Sequence, residues 1–145
     1  MIALLQRVSE ASVVVEGQQI SSISKGLLVL IGVEKEDDEN NAQRLVDKIL
    51  KYRVFPDSDE KMNLSLFDIK GDLLIVPQFT LAANTQKGLR PSFSSAASPE
   101  DGRRLFNTVV ELARKSVCKI DTGLFGADMK VSLINDGPVT FWLQA

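Results

Sequence analysis

Runs of apolar residues separated by polar turns predict several strands in the first part of this chain. Residues 27–33 are continuously apolar, which is typical of a strand covered on both faces. Residues 2–8 predict a second buried strand. The segments 12–15 and 19–23 flank a Glu-Gly pair at 16–17, where glycine tolerates the positive φ of a hairpin turn.

Later apolar stretches predict three more strands. One covers 72–76, and two near the end of the chain cover 130–134 and 139–143. The residues between the last two strands, 135–138, read Asn-Asp-Gly-Pro and predict a tight turn. The polar segment 84–97 is predicted to be an exposed loop.

Apolar positions at helical spacing predict two helices. The first begins in the acidic stretch 36–39, and the second begins at Ser98 as N-cap with Pro99 in its first turn. Grouped strands with two inserted helices favour an α+β fold with a largely antiparallel sheet, and not a βαβ winding. The buried faces are predicted to contain Ala42, Leu45, Val46, Ile49 and Leu50 in the first helix and Leu105, Phe106, Val109, Leu112 and Ala113 in the second.

Composition indicates a single globular domain over residues 1–145. Hydrophobic residues make up 44% of the chain and charged residues 25%. No apolar run is long enough to span a membrane, and the N-terminus lacks the features of a signal peptide. We therefore expect a soluble protein with no membrane partner. The single cysteine, Cys118, fits a reducing, cytoplasmic compartment.

The absence of histidine restricts the possible chemistry. It excludes Ser-His-Asp and Cys-His triads, histidine general bases and histidine-ligated metals. One cysteine cannot form a zinc cage, and Gly-rich phosphate loops are absent from the sequence. The net charge of −2 argues against a protein that coats nucleic acid through bulk positive charge.

Two segments are unusual for a plain α+β scaffold. Residues 76–83 place Gln78 and Thr80 at the end of an apolar strand, and residues 135–140 contain Gly137 and Pro138. Taken separately, spacing favours a buried, hydrogen-bonded glutamine in the first segment. It favours an ordinary turn with a trans proline in the second.

Taken together, these segments resemble a known family. The start MIALLQRVSEASVVVEG, the QFTLAA segment, the RPSFS segment and the ending NDGPVTFWLQ are similar to those of bacterial D-aminoacyl-tRNA deacylases. The resemblance covers essentially the whole chain at matching length. The pairing of QFTL with GPVT is more specific than either short motif alone.

The resemblance implies an aminoacyl-tRNA editing hydrolase. Such enzymes cleave the ester between a D-amino acid and the 3′-terminal adenosine of tRNA, and they also clear glycine mischarged on alanine tRNA. They are cytoplasmic homodimers without metal or other cofactor. Their fold is α+β with a barrel-like, mostly antiparallel sheet and two main helices, and the active sites lie at the dimer interface.

The resemblance also implies the site residues. The Gly137–Pro138 pair, with a cis peptide bond, inserts into the active site of the other subunit, where it rejects L-amino acids. The QFTL segment lines the pocket, and Arg7 helps to hold the cis-proline loop. The family commonly reads SQFTL, whereas this chain has Pro77 in place of the serine. The pocket residues implied are Gln78, Phe79, Thr80, Phe125 and Met129.

The chemistry expected of this site follows from what the chain can offer. The backbone N–H groups of Phe79 and Thr80 could stabilise the oxyanion formed when water attacks the ester. A ribose hydroxyl of the tRNA could serve as general base, directly or through a water. Nothing beside Thr80 in sequence could activate its hydroxyl, so we regard a covalent intermediate at Thr80 as the less favoured route.

Three interpretations remain open from the sequence. The first is the D-specific editing hydrolase. The second is a relative tuned to another mischarge, such as an L-alanyl or glycyl substrate, in which the Gly–Pro bond could be trans. The third is a non-catalytic homodimer that binds tRNA ends or small ligands. Candidate phosphate contacts, which ordinary solvated surface explains equally well, are Lys87, Arg90, Arg103 and Arg104.

Overall fold

The computed structural model describes residues 1–86, 88–115 and 119–145. Lys87 and Cys118, both considered above, lie outside these residues. Short elements between the two main helices, and a short strand after the second, add to those predicted from the sequence. The strands are β1 (Ile2–Val15), β2 (Gln18–Ile23), β3 (Gly26–Gly32), β4 (Phe55–Pro56), β5 (Met62–Leu64), β6 (Asp72–Pro77), β7 (Ile120–Thr122) and β8 (Lys130–Gln144). The helices are α1 (Glu39–Lys51), α2 (Leu66–Ile69) and α3 (Pro99–Arg114), and a 3-10 turn covers Phe79–Ala82.

The 14-residue strand β1 organises the main sheet. Its first half pairs with β3 and its second half with β2, both antiparallel. Its other edge pairs along most of its length with β8, also antiparallel. The order β2-β1-β3-β6-β7 completes a six-stranded, nearly closed, barrel-like sheet.

The predicted turn over 135–138 is wrong, because β8 is one continuous strand. Asn135 pairs with Val8 and Thr140 pairs with Gln6, so residues 136–139 stand opposite Arg7 alone. The segment is therefore a bulge in a long strand and not a reversal of the chain. Glycine and proline produced a turn signal here although the strand continues in the same direction.

The expectation of a largely antiparallel sheet without βαβ units is also wrong in part. Strands β3 and β6 are parallel, and so are β6 and β7, so the sheet is mixed. The connections contain α1 and α3 and are crossovers of the βαβ kind. The continuous apolar run in β3, which is typical of parallel strands buried on both faces, was the signal for this arrangement.

Both main helices begin where the sequence predicts, α1 in the acidic stretch 36–39 and α3 after Ser98. The carboxylate of Asp38 accepts a hydrogen bond from the Asn41 N–H, and the hydroxyl of Ser98 accepts one from the Asp101 N–H. The helices cover one face of β3, where Leu27 lies in the same apolar core as the helix residues, while Leu28 faces the second core inside the sheet. Among the described residues, no helix combines the length and apolar character needed to cross a membrane.

Candidate active site

The candidate site begins where β6 ends. The Gln78 N–H donates to the Ile31 carbonyl at 2.7 Å, and this bond ends the pairing of β6 with β3. The chain then turns into the 3-10 segment that contains Phe79 and Thr80. A Cβ at Gly32 would stand 2.8 Å from the Leu81 Cβ, so glycine at this position lets the turn pack directly on β3.

Two backbone donors remain available in this turn. The Leu81 N–H donates to the Gln78 carbonyl at 3.2 Å and closes the first turn. Among the described residues, neither the Phe79 nor the Thr80 N–H donates a hydrogen bond to a protein acceptor. The first N–H groups of a helical turn have no partner within it, so these two donors can bind a ligand oxygen.

The side chains of Gln78 and Thr80 are joined to each other. The Gln78 Nε2 donates to the Thr80 hydroxyl oxygen at 2.5 Å. Spacing alone favoured a buried, hydrogen-bonded glutamine; Gln78 is hydrogen-bonded but only half-buried, and Thr80 is exposed. An amide is not a base, so this contact orients the hydroxyl without preparing it to lose a proton.

A pocket of about 490 Å³ opens beside the turn. Its walls include Gln78 and Phe79 from the end of β6, and Phe125 and Met129 from the segment that follows β7. Its deeper lining is apolar, from Ile31, Val33 and Val76. The structure thus brings together two pairs of residues that are far apart in sequence, in a cavity of the size that small ligands occupy.

Phe125 and Met129 are held by their own neighbours. The Leu124 N–H donates to the Met129 sulfur at 3.3 Å, and the guanidinium of Arg103 lies 5.0 Å from the centre of the Phe125 ring. A Cβ at Gly123 would stand 2.8 Å from the Met129 sulfur. A larger residue at position 123 would therefore have to displace the Met129 side chain.

The start of α3 forms another wall that sequence reasoning did not assign to the site. Ser98, Pro99 and Gly102 line the pocket. A Cβ at Gly102 would stand 3.4 Å from the Phe125 ring. Glycine inside a helix costs about 1 kcal/mol relative to alanine, and this is the one sequence signal that could have pointed to a close approach here.

Pro77 stands where the resemblance implies a serine, and it does not disturb the sheet. The N–H of Leu73 and the carbonyl of Ile75 both bond toward β7. Because alternate residues of a strand bond to the same side, the nitrogen of Pro77 also points toward β7. Strand pairing there extends only to Ile75, so proline leaves no unmet ladder bond.

The bulge of β8 forms a second feature, centred on Arg7. The Arg7 Nε donates to the Asp136 carbonyl at 2.9 Å, and Nη1 donates to the Val54 carbonyl at 2.6 Å. Gly137 has a φ of +132°, and its peptide bond to Pro138 is cis. Arg7 thus ties the bulge to the segment that leads into β4.

Within one chain the bulge does not line the pocket. Gly137, Pro138, Arg7 and Thr80 are not among the residues that line the pocket. Of the elements described, only β1 pairs with β8, so the other edge of β8 is unpaired. Ile134 and Trp142 on β8 are each more than half exposed, which is unusual for apolar side chains of this size.

The D-Tyr-tRNA(Tyr) deacylase family model matches residues 4–144 of this chain. The chain belongs to this family. The resemblance drawn from the sequence is therefore confirmed, and membership of a hydrolase family favours an enzyme over the non-catalytic binder.

Relatives agree with membership of the deacylase family, and two solved structures share the fold of this chain. The D-aminoacyl-tRNA deacylase of Photobacterium profundum is 59% identical over 144 residues, which are 99% of each chain. That of Vibrio cholerae serotype O1 is 57% identical over the full length of both. A solved c-Myc DNA unwinding element binding protein has a TM-score of 0.94 at 41% identity, covering 100% of this chain and 99% of that one. A probable eukaryotic D-amino acid tRNA deacylase, 17% identical, shares the fold with a TM-score of 0.86 over 99% of this chain and 98% of its own.

The basic residues predicted to contact tRNA differ in their exposure and ion pairing in this deacylase family member. Arg90 is exposed in the loop before α3, and Arg103 lies over Phe125 at the pocket. Arg104 forms ion pairs with Glu39 and Asp101, which makes it the weakest of the described candidates. Among the residues that the structure describes, no cluster of three or more potential ligands could hold a metal ion.

Proposed function

We propose that this chain hydrolyses the ester of D-aminoacyl-tRNA and releases free tRNA and the D-amino acid. Membership of the deacylase family supports the reaction class. The observation that carries the assignment is the pair of unpartnered backbone donors, Phe79 N–H and Thr80 N–H, beside a pocket of about 490 Å³. Backbone donors of this kind suit an ester that becomes an oxyanion during hydrolysis.

The two donors would act on the carbonyl oxygen of the ester. When water attacks, that oxygen gains negative charge, and fixed N–H dipoles stabilise it without having to reorient. Loss of one such donor typically reduces a rate on the order of 10²- to 10³-fold. Gln78 would help to fix the turn through its bond to Thr80.

We propose that the tRNA itself supplies the general base. The chain has no histidine, and the described partner of the Thr80 hydroxyl is an amide. The ribose hydroxyl next to the ester is near the attacking water by necessity, so it could accept the proton directly or through a second water. Proton transfer of this kind contributes about 10²- to 10⁴-fold.

We propose that the enzyme is a homodimer in which the Gly137–Pro138 bulge of one copy enters the pocket of the other. Three observations support this arrangement: the bulge does not line the pocket of its own chain, the outer edge of β8 is unpaired among the described elements, and Ile134 and Trp142 on that strand are exposed. Main-chain atoms placed against the α-carbon would collide with an L side chain and leave space for a D side chain.

Chiral rejection by main chain has two consequences for substrate range. Many D-amino acids should be accepted, because their side chains point away from the bulge. Glycine has no side chain to collide, so glycyl-tRNA mischarged on alanine tRNA should also be hydrolysed. A pocket that recognises the substrate's side chain by its size could not separate D- from L-amino acids so broadly, because one methylene changes specificity by only about 1–3 kcal/mol. We expect such an enzyme to work in the cytoplasm, where tRNA is charged.

The experiment that tests the assignment is a paired assay on the D- and L-forms of one aminoacyl-tRNA, with EDTA present and enzyme far below substrate. We expect multiple turnovers on the D-form and none above background on the L-form. Equal rates on both forms would contradict the chiral assignment. An enzyme that binds the tRNA but releases no amino acid would instead be the non-catalytic dimer.

A further inference from the structure

Two aromatic side chains form an exposed pair at the mouth of the pocket. The ring centres of Phe79 and Phe93 are 5.1 Å apart, with an angle of 46° between the ring planes. Phe79 is 60% exposed and Phe93 is 42% exposed. Phe79 lines the pocket, whereas Phe93 does not. The pair therefore leads from the pocket to the outer surface.

The loop that carries Phe93 is fixed from both sides. Asn84 and Ser92 exchange two backbone hydrogen bonds, at 2.8 and 3.1 Å. Further along, the Ala97 N–H donates to the Val33 carbonyl at 3.0 Å, and the Ser95 carbonyl accepts from the Lys35 N–H at 2.9 Å. The position of Phe93 is thus set before any ligand binds, which reduces the entropy lost on binding.

The charge of this loop suits an anionic ligand. Residues 84–97 include two basic residues and no acidic residue, in a protein whose net charge is −2. One of the two, Arg90, is exposed in the same loop as Phe93. Aromatic faces next to basic side chains are the combination that binds single-stranded nucleic acid, because bases stack while cations contact phosphates.

We propose that Phe93, packed against Phe79, is a stacking platform for the penultimate nucleobase of the tRNA 3′ end. This inference rests on the proposed function, because it places the esterified terminal nucleoside in the pocket. Phe93 lies outside the pocket, so the base that it meets belongs to the next nucleotide. Arg90 contacts the phosphate backbone beside it.

The test compares two D-aminoacylated RNA minihelices that differ only at the penultimate nucleotide, one intact and one abasic. The variants are Phe93→Leu, which removes the aromatic face but keeps apolar bulk, and Phe93→Tyr, which keeps the ring. The matched control is Leu89→Ala, a fully exposed apolar residue of the same loop. The measured quantities are KM and kcat for deacylation, and the affinity for the same minihelices uncharged.

We expect Phe93→Leu to raise KM for the intact minihelix at least about 5-fold, within the range measured for base stacking, with kcat unchanged. On the abasic minihelix, wild type and Phe93→Leu should have the same KM. Phe93→Tyr should retain wild-type KM, and Leu89→Ala should have no effect on either RNA.

Three results would overturn the proposal. One is a Phe93→Leu defect of equal size on both minihelices, and another is no defect on either. The third is a sedimentation coefficient of Phe93→Leu that differs from that of wild type, without a base-dependent change in KM. That result would mean that a second copy of the chain covers the platform. Failure of the proposed function would look different, because wild type would then hydrolyse neither minihelix. The affinities for uncharged RNA would still test the platform in that case.

Discussion

The guanidinium of Arg7 takes the place of strand pairing opposite the bulge, donating from Nε to the Asp136 carbonyl at 2.9 Å. The neighbouring carboxylate of Asp136 lies 3.5 Å from the same nitrogen, and the Arg7 side chain is only 12% exposed. Nη1 of the same group holds the Val54 carbonyl. One planar group thus fixes two carbonyl oxygens from segments that do not otherwise pair.

We expect Arg7→Lys to loosen the bulge. An ammonium cannot present the planar fork that reaches both carbonyls, and hydrogen bonds from charged groups contribute about 1.5–3 kcal/mol each. The variant should lose roughly that amount of stability in urea unfolding and at least about tenfold in kcat/KM for D-aminoacyl-tRNA. Arg53→Lys is the control, because exposed Arg53 bonds only the side chain of Asn63 among the described residues. Equal losses in the two variants would argue against a special role for Arg7.

Replacement of Gly137 by alanine should damage the same bulge from the other side. The φ of +132° is unfavourable for an L side chain, and the added Cβ would stand 2.7 Å from the Val139 Cγ2 and 3.1 Å from the Arg7 Nη2. We expect a loss of deacylation of about 10²-fold or more, measured under single-turnover conditions.

The control for that change is Gly17→Ala. Gly17 also has a positive φ, of +78°, but a Cβ there would meet nothing within 4 Å. Both variants add backbone strain, and only Gly137→Ala adds contacts beside Arg7. If Gly137→Ala deacylated its substrate as fast as Gly17→Ala, the bulge could not be part of the site.

Mixed dimers should reveal whether bulge and pocket come from different copies. Gly123→Leu should close the pocket, since even a Cβ at Gly123 would stand 2.8 Å from the Met129 sulfur. A chain with Gly137→Ala paired with a chain with Gly123→Leu would retain one intact site if the bulge acts across the interface. We expect about half of the wild-type rate per such dimer. Rates no higher than those of the single-variant homodimers would show that each site is built within one chain.

Local signals in the sequence predicted some parts of this structure well. The acidic stretch 36–39 and the Ser98 cap mark the two helix starts because these signals depend on a few adjacent residues, and the structure confirms both starts. The continuous apolar run of β3 is likewise confirmed as a strand. The parallel partner of β3 was missed, because the choice of partner depends on the path of about 40 intervening residues rather than on the strand itself.

The candidate site was harder to predict from spacing. Gly137 and Pro138 gave a turn signal although glycine and proline also occur in bulges, and only the continued pairing of β8 with β1 distinguishes the two. Spacing alone placed neither Phe125 nor Gly102 beside Gln78, since three separate elements meet there. The pocket residues that were predicted came from the resemblance to a family. That resemblance did not include the residues of α3 that line the pocket.

Acid should weaken the α2 region through Asp68. Its carboxylate accepts hydrogen bonds from the Ser65 hydroxyl at 2.6 Å and from the Ser65 N–H at 2.8 Å, and these bonds lower the pKa of Asp68 below 3.8. A carboxyl whose pKa is lower in the folded state stabilises the fold fully above its unfolded pKa. The contribution is lost as the pH falls through the folded value.

Urea unfolding from pH 6 to pH 2 checks this expectation. Asp68→Asn should be less stable than wild type at pH 6, and the two should converge as the pH approaches 2. Asp59→Asn removes an exposed carboxylate that accepts no hydrogen bond from the described residues, and it serves as the control for the loss of one charge. A constant difference between Asp68→Asn and wild type across the range would contradict the proposed origin of the lowered pKa.

Thr80→Ala should separate the two catalytic routes. The described partner of the Thr80 hydroxyl is the Gln78 amide, which cannot accept its proton, whereas the Thr80 N–H persists in alanine. If that N–H and the tRNA hydroxyl perform the chemistry, single-turnover deacylation by Thr80→Ala should stay within about tenfold of wild type. Thr80→Ser provides a matched variant that keeps a hydroxyl. A loss beyond about 10³-fold in Thr80→Ala, with recovery in Thr80→Ser, would instead make the hydroxyl the nucleophile, because removal of a nucleophile leaves only binding and oxyanion stabilisation.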